Sequence, residues 1–213
     1  IYDANSHLME LPDFLTAHAD PTLADELADL PAALTGQFDP GRYSGAAAHD
    51  RDTVSKLMTL GDELTKGPKW HGALGAFNGS ERGQALDLLG FRRQVIFSTF
   101  CGGLIFRAAD DTIAYATAAA HNRAMAVFCG ADPRLLGVAI VPLQDPKRAA
   151  AEIEAARTLG LEAVWIAADA PGGRSPGHPE HDPIWASLAD AGMPFILHVG
   201  SAPLNIADSW MND

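Results

Sequence analysis

Short apolar runs alternate with longer amphipathic segments along the second half of the chain. Four of the apolar runs are predicted to be buried strands, at residues 94–100, 135–143, 163–168 and 194–199. The segments between them are predicted to be helices, at residues 110–130, 145–159 and 182–191. Strict alternation of this kind is typical of βαβ units, which build a parallel sheet covered by helices.

The first half of the chain has a different pattern. Residues 1–5 are predicted to form another strand, whereas residues 11–93 carry little strand signal. In this stretch we predict helices at 21–30, 50–64 and 80–89, with Ser80 as the N-cap of the last. Loops are predicted at 36–48 and 66–79. Such a long excursion after a first strand predicts an inserted, lid-like segment rather than a simple crossover.

Composition excludes several classes of protein. The 213 residues carry a formal net charge of −12, and the basic residues are scattered, which argues against a nucleic-acid partner. No apolar run approaches the roughly 20 residues of a membrane-spanning helix. Two cysteines, Cys101 and Cys129, are too few for a disulfide framework, and we expect buried, inert thiols in a cytoplasmic protein.

His198 lies at the end of the predicted strand 194–199. The C-terminal ends of parallel strands are where α/β folds place ligand-binding and catalytic side chains. The alternative interpretation is a core histidine that is hydrogen-bonded to neighbouring backbone, because histidine is not rare inside proteins.

Near the start of the chain, Asn5 and His7 are two residues apart, so they project from the same face of an extended strand. Such a pair can present two ligands to one metal ion, and Glu10 can add a carboxylate if the chain turns there. The alternative is a polar strand end with a solvated Glu10.

Other histidines lie in predicted loops. His178 and His181 precede the helix at 182–191, on the same rim as His198, and are candidates for substrate contact. A helix-entry role for His181 is an equally good interpretation, with Asp182 as the N-cap. His49 and His71 are interpreted mainly as solvated loop residues.

Three motifs in this order resemble the amidohydrolase-related family, which includes aminocarboxymuconate-semialdehyde decarboxylase and the hydroxybenzoate decarboxylases. They are DANSHLME at 3–10, DPRLLGVAIVPL at 132–143, and HDPIWA at 181–186 leading to PFILHVG at 194–200. The resemblance implies a (β/α)8 TIM barrel that holds one divalent ion, zinc or manganese, at the C-terminal mouth of its strands. It also implies a homo-oligomer.

The resemblance assigns the metal ligands residue by residue. The ligand pair of the first strand falls on Asn5 and His7, the histidine of a later strand falls on His198, and Glu10 matches a glutamate of relatives with this opening. Asn5 departs from the family pattern, where His, Asp or Glu is usual. An amide oxygen is a poorer zinc ligand than imidazole or carboxylate.

Only five strands are predicted, whereas a barrel of this class needs eight and about 250 residues. We therefore expect residues 1–213 to be the first part of a longer barrel. The catalytic acid-base residues, a second histidine and an aspartate by the resemblance, are expected beyond residue 213.

These features predict a metal-dependent hydrolase or carboxy-lyase that acts on a small, cyclic or carboxylate-bearing organic substrate. Two alternatives stay open. One is a non-catalytic barrel relative, which Asn5 favours. The other is a complete five-stranded, doubly wound domain that binds a small ligand without metal.

Overall fold

A computed structural model describes residues 1–30, 43–44 and 48–198 of the chain. The strands are β1 (Tyr2–His7), β2 (Tyr43–Ser44), β3 (Ala48–His49), β4 (Arg93–Phe97), β5 (Leu135–Ile140), β6 (Ala163–Ile166) and β7 (Phe195–Leu197). The helices are α1 (Arg51–Met58), α2 (Gly79–Leu89), α3 (Cys101–Phe106), α4 (Asp111–Cys129), α5 (Pro146–Thr158) and α6 (Asp182–Ala191). Most of the predicted loop at 36–48 lies outside the described residues, as does residue 199 of the last predicted strand.

Five strands form one parallel sheet in the order β1-β4-β5-β6-β7. Each strand pairs with the next one of the sheet along the chain, and the sheet curls into a half-barrel with helices outside. The five strands predicted from the sequence are therefore confirmed. A doubly wound sheet reverses its strand order at a switch point, so this order contradicts the doubly wound alternative.

Strand residues alternate between two faces of the sheet. On the outer face, Ile96, Ala139 and Val164 belong to a core that includes Met125 of α4 and Ile153 of α5. The neighbouring strand residues belong to a second core on the inner, concave face: Phe97, Ile140 and Trp165, with Cys101, Ile105 and Phe106 of α3. This alternation follows from the period of two in a β-strand. Trp165 thus fills the interior of the half-barrel.

Between β1 and β4 the structure corrects the predicted helix at 21–30. Only a single 3-10 turn, Ala24–Glu26, forms in this stretch. At the end of this stretch, Leu30 donates its N–H to the carbonyl of Pro12 instead of to a carbonyl one helical turn earlier. Leu30 also precedes a proline, which disfavours the helical conformation at that residue.

Two further boundaries differ from the prediction. The segment 50–64 is divided into α1 and a 3-10 helix, Gly61–Thr65, at Gly61 with its φ of +54°. The N-cap of α2 is Asn78 rather than Ser80, because the Asn78 side chain accepts the N–H of Glu81. The role of residues 11–93 as a lid stays a prediction.

Among the described residues, no helix is long and apolar enough to cross a membrane. Both Cys101 and Cys129 are unpaired and buried, as expected of inert thiols.

Candidate functional site

The end of β1 contains a bulge that sets the direction of its side chains. Asp3 pairs with Gln94 of β4, but the next pair is Ser6 with Ile96, so three steps in β1 match two in β4. An extra residue of this kind re-aims the side chains around it. Asp3 and Ser6 both join a polar network with Gln94 and Arg82. Asn5 and His7 instead meet His198 on the inner face.

Asn5, His7 and His198 lie together at the C-terminal ends of the first and last strands of the sheet. The Nε2 atom of His198 is 2.8 Å from Oδ1 of Asn5. The rings of His7 and His198 have centroids 5.0 Å apart. The structure therefore brings together three of the residues that the sequence singled out as metal ligands.

Hydrogen bonds assign the proton of each imidazole. His7 donates from Nδ1 to the carbonyl oxygen of Ser98 at 3.0 Å, which leaves its Nε2 with a lone pair. His198 donates from Nε2 to Asn5, which leaves the lone pair on Nδ1. That Nδ1 atom is buried and has no hydrogen-bond partner in the described ranges 1–30, 43–44 and 48–198. A buried polar atom without a partner marks a place where a water, ion or ligand atom is expected.

Both imidazoles favour the neutral form, which is the form that binds metals. Burial lowers the pKa of His7 below its usual value, although the hydrogen bond to Ser98 opposes this shift. Burial also lowers the pKa of His198, and the nearby charge of a protonated His7 lowers it further.

Aromatic side chains form the floor beneath these residues. Phe97 and Trp165 have ring centroids 4.4 Å and 5.0 Å from that of His198. A Cβ atom at Gly102 would lie 2.3 Å from the Trp165 ring, so only glycine allows α3 to approach this ring so closely. The Nε1 atom of Trp165 is buried, and no described residue accepts a hydrogen bond from it. The floor is thus apolar.

Glu10 is fully buried and faces backbone rather than the two imidazoles. Its carboxylate accepts the N–H groups of Thr99 (3.2 Å), Phe100 (2.8 Å) and Cys101 (3.0 Å). Burial raises its pKa, and these hydrogen bonds to the charged form oppose the rise. Glu10 therefore links the segment after β1 to the segment after β4 by hydrogen bonds. Its role as a metal ligand stays a prediction.

His49 and His71, interpreted from the sequence as solvated, are buried. Nδ1 of His49 lies 2.6 Å from Oε2 of Glu81, and its Nε2 lies 2.7 Å from the carbonyl oxygen of His71. His71 in turn donates from Nε2 to the carbonyl of Glu10 at 2.9 Å. The sequence gives no signal for this chain of contacts, since His49 and Glu81 are 32 positions apart.

His178 and His181 occupy the loop before α6. Nδ1 of His178 accepts the N–H of Glu180 at 3.2 Å. His181 is buried and donates from Nδ1 to the carbonyl of Ser175 at 2.8 Å. In the part of the chain that the structure describes, neither histidine has a hydrogen bond or ring contact with His7 or His198. Their contact with substrate stays a prediction.

The donor set fits a divalent ion only in part. The described ranges 1–30 and 48–198 contain no group of three or more His, Cys, Asp or Glu side chains that could hold a metal ion. They do contain two neighbouring imidazoles, each with one nitrogen that carries a lone pair, and one amide oxygen that accepts the Nε2–H of His198. The unpartnered Nδ1 of His198 is a suitable donor to a metal ion, while Asn5 makes the set weaker than one with a third imidazole or a carboxylate.

The Amidohydrolase family model matches residues 77–211 of the chain. This range includes α2, the last four strands of the parallel sheet and His198. No curated protein sequence matches the chain.

Three solved structures illustrate the fold similarity. An amidohydrolase from Mycobacterium avium subsp. paratuberculosis is 21% identical, with a TM-score of 0.65 over 95% of this chain and 59% of that chain. A 5-carboxyvanillate decarboxylase from Novosphingobium aromaticivorans, in complex with manganese and 4-hydroxy-3-methoxy-5-nitrobenzoic acid, is 23% identical, with a TM-score of 0.51 over 72% and 48%. A 2,6-dihydroxybenzoate decarboxylase from Rhizobium is 18% identical, with a TM-score of 0.52 over 92% and 49%. At these identities the likeness shows the fold, and the chain spans about half to three fifths of each relative.

Proposed function

The chain belongs to the amidohydrolase family, and we propose that it forms five of the eight βα units of a metal-dependent hydrolase or carboxy-lyase. The observation that carries this proposal is the cluster of His198, His7 and Asn5, in which the buried Nδ1 of His198 has no hydrogen-bond partner among the described residues. A lone pair left unused inside a protein costs free energy unless a ligand or ion takes it up.

We assign the holding of one zinc or manganese ion to His7, His198 and Asn5, with Glu10 as a further candidate. When bound, such an ion polarises a substrate oxygen and lowers the pKa of water. Ser98 keeps the proton of His7 on Nδ1 and so presents the opposite nitrogen as a ligand. The ion is compatible with the manganese in the complex of the carboxyvanillate decarboxylase.

The floor of the site is compatible with a cyclic organic substrate. Phe97 and Trp165 are buried directly beneath the His198 ring and make the base of the site aromatic and apolar. The substrate proposed from the sequence, a small cyclic or carboxylate-bearing compound, fits these groups. His178 and His181 are retained in the proposal as substrate contacts, and the acid-base residues are not assigned to any residue of this chain.

The test uses the purified protein that contains this chain, with hydroxybenzoates as one substrate class and lactones as the other. Loss of the aromatic carboxylate absorbance with release of carbon dioxide would identify a carboxy-lyase, and release of an acid from a lactone would identify a hydrolase. We expect one of the two activities, abolished by a chelator and restored by zinc or manganese. Activity that survives complete chelation would contradict the proposal.

One observation favours a second candidate, a non-catalytic relative. Asn5 already accepts a hydrogen bond from His198, so the two side chains satisfy each other without any ion. A folded protein that binds neither zinc nor manganese would favour this candidate over the enzyme.

A further inference from the structure

We propose that Arg82 is a positioning residue, which fixes the end of β1 so that Asn5 and His7 face His198. The inference rests on the proposed function, because its purpose is to present metal ligands. Arg82 lies on α2, in the segment that the sequence predicts to be an insertion. The segment 11–93 thereby acquires a role in building the site.

The contacts of Arg82 converge on the bulged end of β1. Its Nη2 donates to the carbonyl oxygen of His7 at 2.8 Å, and its Nη1 donates to the hydroxyl of Ser6 at 2.8 Å. The guanidinium therefore holds the two residues that follow Asn5. A planar guanidinium with several donors in fixed directions can hold such a pair at a defined orientation, which an ammonium cannot do.

Behind the bulge, the same side chain belongs to a buried polar network. Nη1 of Arg82 lies 3.4 Å from Oε1 of Gln94, and Nε2 of Gln94 donates to Oδ2 of Asp3 at 3.1 Å. Asp3 and Ser6 therefore both join the network of Arg82 and Gln94 on the outer face of the sheet. In a regular strand, residues three apart would point to opposite faces. This arrangement requires the bulge, which in turn sends Asn5 and His7 to the inner face.

The loop that precedes α2 also holds the guanidinium of Arg82. Nε of Arg82 donates to the carbonyl of Gly75 at 2.7 Å. A Cβ atom at Gly75 would lie 2.3 Å from the Cα of Arg82, and Gly75 has a φ of +70°. Glycine is therefore required there for the loop to reach Arg82 and to hold its guanidinium in place.

The charge of Arg82 is buried among neutral acceptors. Arg82 is only 8% exposed, and its side chain donates hydrogen bonds to two carbonyl groups, a hydroxyl and an amide oxygen. Burial lowers its pKa to about 10, so it remains charged at neutral pH, and the nearby charge of Asp3 favours that form. An apolar residue would fill this space without the cost of burying a cation, which indicates that the directional hydrogen bonds are the reason for an arginine here.

The test compares Arg82→Lys and Ser6→Ala with a matched control, Arg134→Lys. Arg134 also anchors α2, through the carbonyl of Gly83 and the carboxylate of Asp87, but its hydrogen bonds are to α2 and Asp132 rather than to β1. Two properties are measured for each folded variant. One is the zinc dissociation constant, and the other is the tautomer of His7 in the metal-free protein, from long-range ¹H–¹⁵N NMR spectra.

We expect wild type and the Arg134→Lys control to hold His7 with its proton on Nδ1 and to bind zinc equally. Arg82→Lys is expected to show mixed tautomers of His7 and zinc binding weakened about tenfold or more, the range seen when partners of metal ligands are removed. Ser6→Ala keeps Arg82 and is expected to lie between wild type and Arg82→Lys. If Arg82→Lys does not fold, Ser6→Ala alone tests the positioning role.

Two results would overturn the inference in distinguishable ways. In the first, wild type binds zinc, and the folded Arg82→Lys and Ser6→Ala variants keep both the His7 tautomer and the zinc affinity. This result contradicts the positioning role of Arg82 and leaves the proposed function standing. Wild type that binds no zinc contradicts the proposed function, and the positioning role fails with it.

Discussion

At the scale of single residues, Asn5 limits how strongly the proposed site can bind a metal ion. Its Oδ1 atom lies against Nε2 of His198, at a position where an acidic or imidazole ligand is usual in the family that the sequence resembles. An amide oxygen has no net charge, so it offsets less of the charge of a divalent ion than a carboxylate does. We therefore expect Asn5 to be a weaker ligand than an aspartate at the same position.

Asn5→Asp is expected to strengthen zinc binding, because it exchanges the amide for a carboxylate of the same shape. We expect a gain of about tenfold, or about 1.4 kcal/mol. Competition with a chromophoric chelator measures the dissociation constant. Asn5→Ala is the control, since it removes the oxygen donor entirely. Zinc binding by Asn5→Asp that is no tighter than that of Asn5→Ala would contradict a ligand role for this position.

At the scale of elements, β3 and α2 are joined by a buried ion pair between His49 and Glu81. Both nitrogens of the His49 ring face oxygen acceptors, so both carry protons and the ring is charged. Burial lowers the pKa of His49, but the hydrogen bond and the charge of Glu81 outweigh burial and leave the pKa raised. Because α2 also carries Arg82, this pair supports the helix that holds the end of β1.

The raised pKa of His49 predicts how stability changes with pH. A group with a folded-state pKa above its unfolded value of about 6.5 stabilises the fold fully below that value, and the contribution is lost as pH rises through the folded-state pKa. Glu81→Gln removes the partner, and we expect it to cost about 3 kcal/mol at pH 6 and less at pH 8.5. Urea unfolding of wild type and Glu81→Gln at both pH values measures the two differences. A cost that is equal at the two pH values would contradict a charged His49.

At the scale of the whole molecule, the parallel sheet forms a half-barrel. His7 and His198 lie at the C-terminal ends of its first and last strands. The order β1-β4-β5-β6-β7 brings the last strand round toward the first, so that residues 193 positions apart come within hydrogen-bond distance. The chain spans 59% of the Mycobacterium amidohydrolase that it resembles.

The sequence predicts the five strands, because each is a short apolar run. It also predicts that Asn5, His7 and His198 lie near one another, because the C-terminal ends of parallel strands meet at the same edge of the sheet. The roles of Arg82, His49 and Glu10 could not be predicted from the sequence. Each depends on a tertiary contact, such as Arg82 with the carbonyl of His7, 75 positions away. A side chain that bonds to backbone leaves no pattern in the sequence, since any residue type supplies the same carbonyl or N–H. The helix predicted at 21–30 failed for a similar reason, because a distant carbonyl took the N–H of Leu30.

The central claim is that His7 and His198 hold a divalent ion, and metal content tests it most directly. Elemental analysis of unchelated, purified protein should give about one equivalent of zinc or manganese, lost in His198→Ala and retained in His18→Ala, which removes an imidazole from a surface groove. No bound metal in folded wild type, or an equivalent that persists in His198→Ala, would contradict the account.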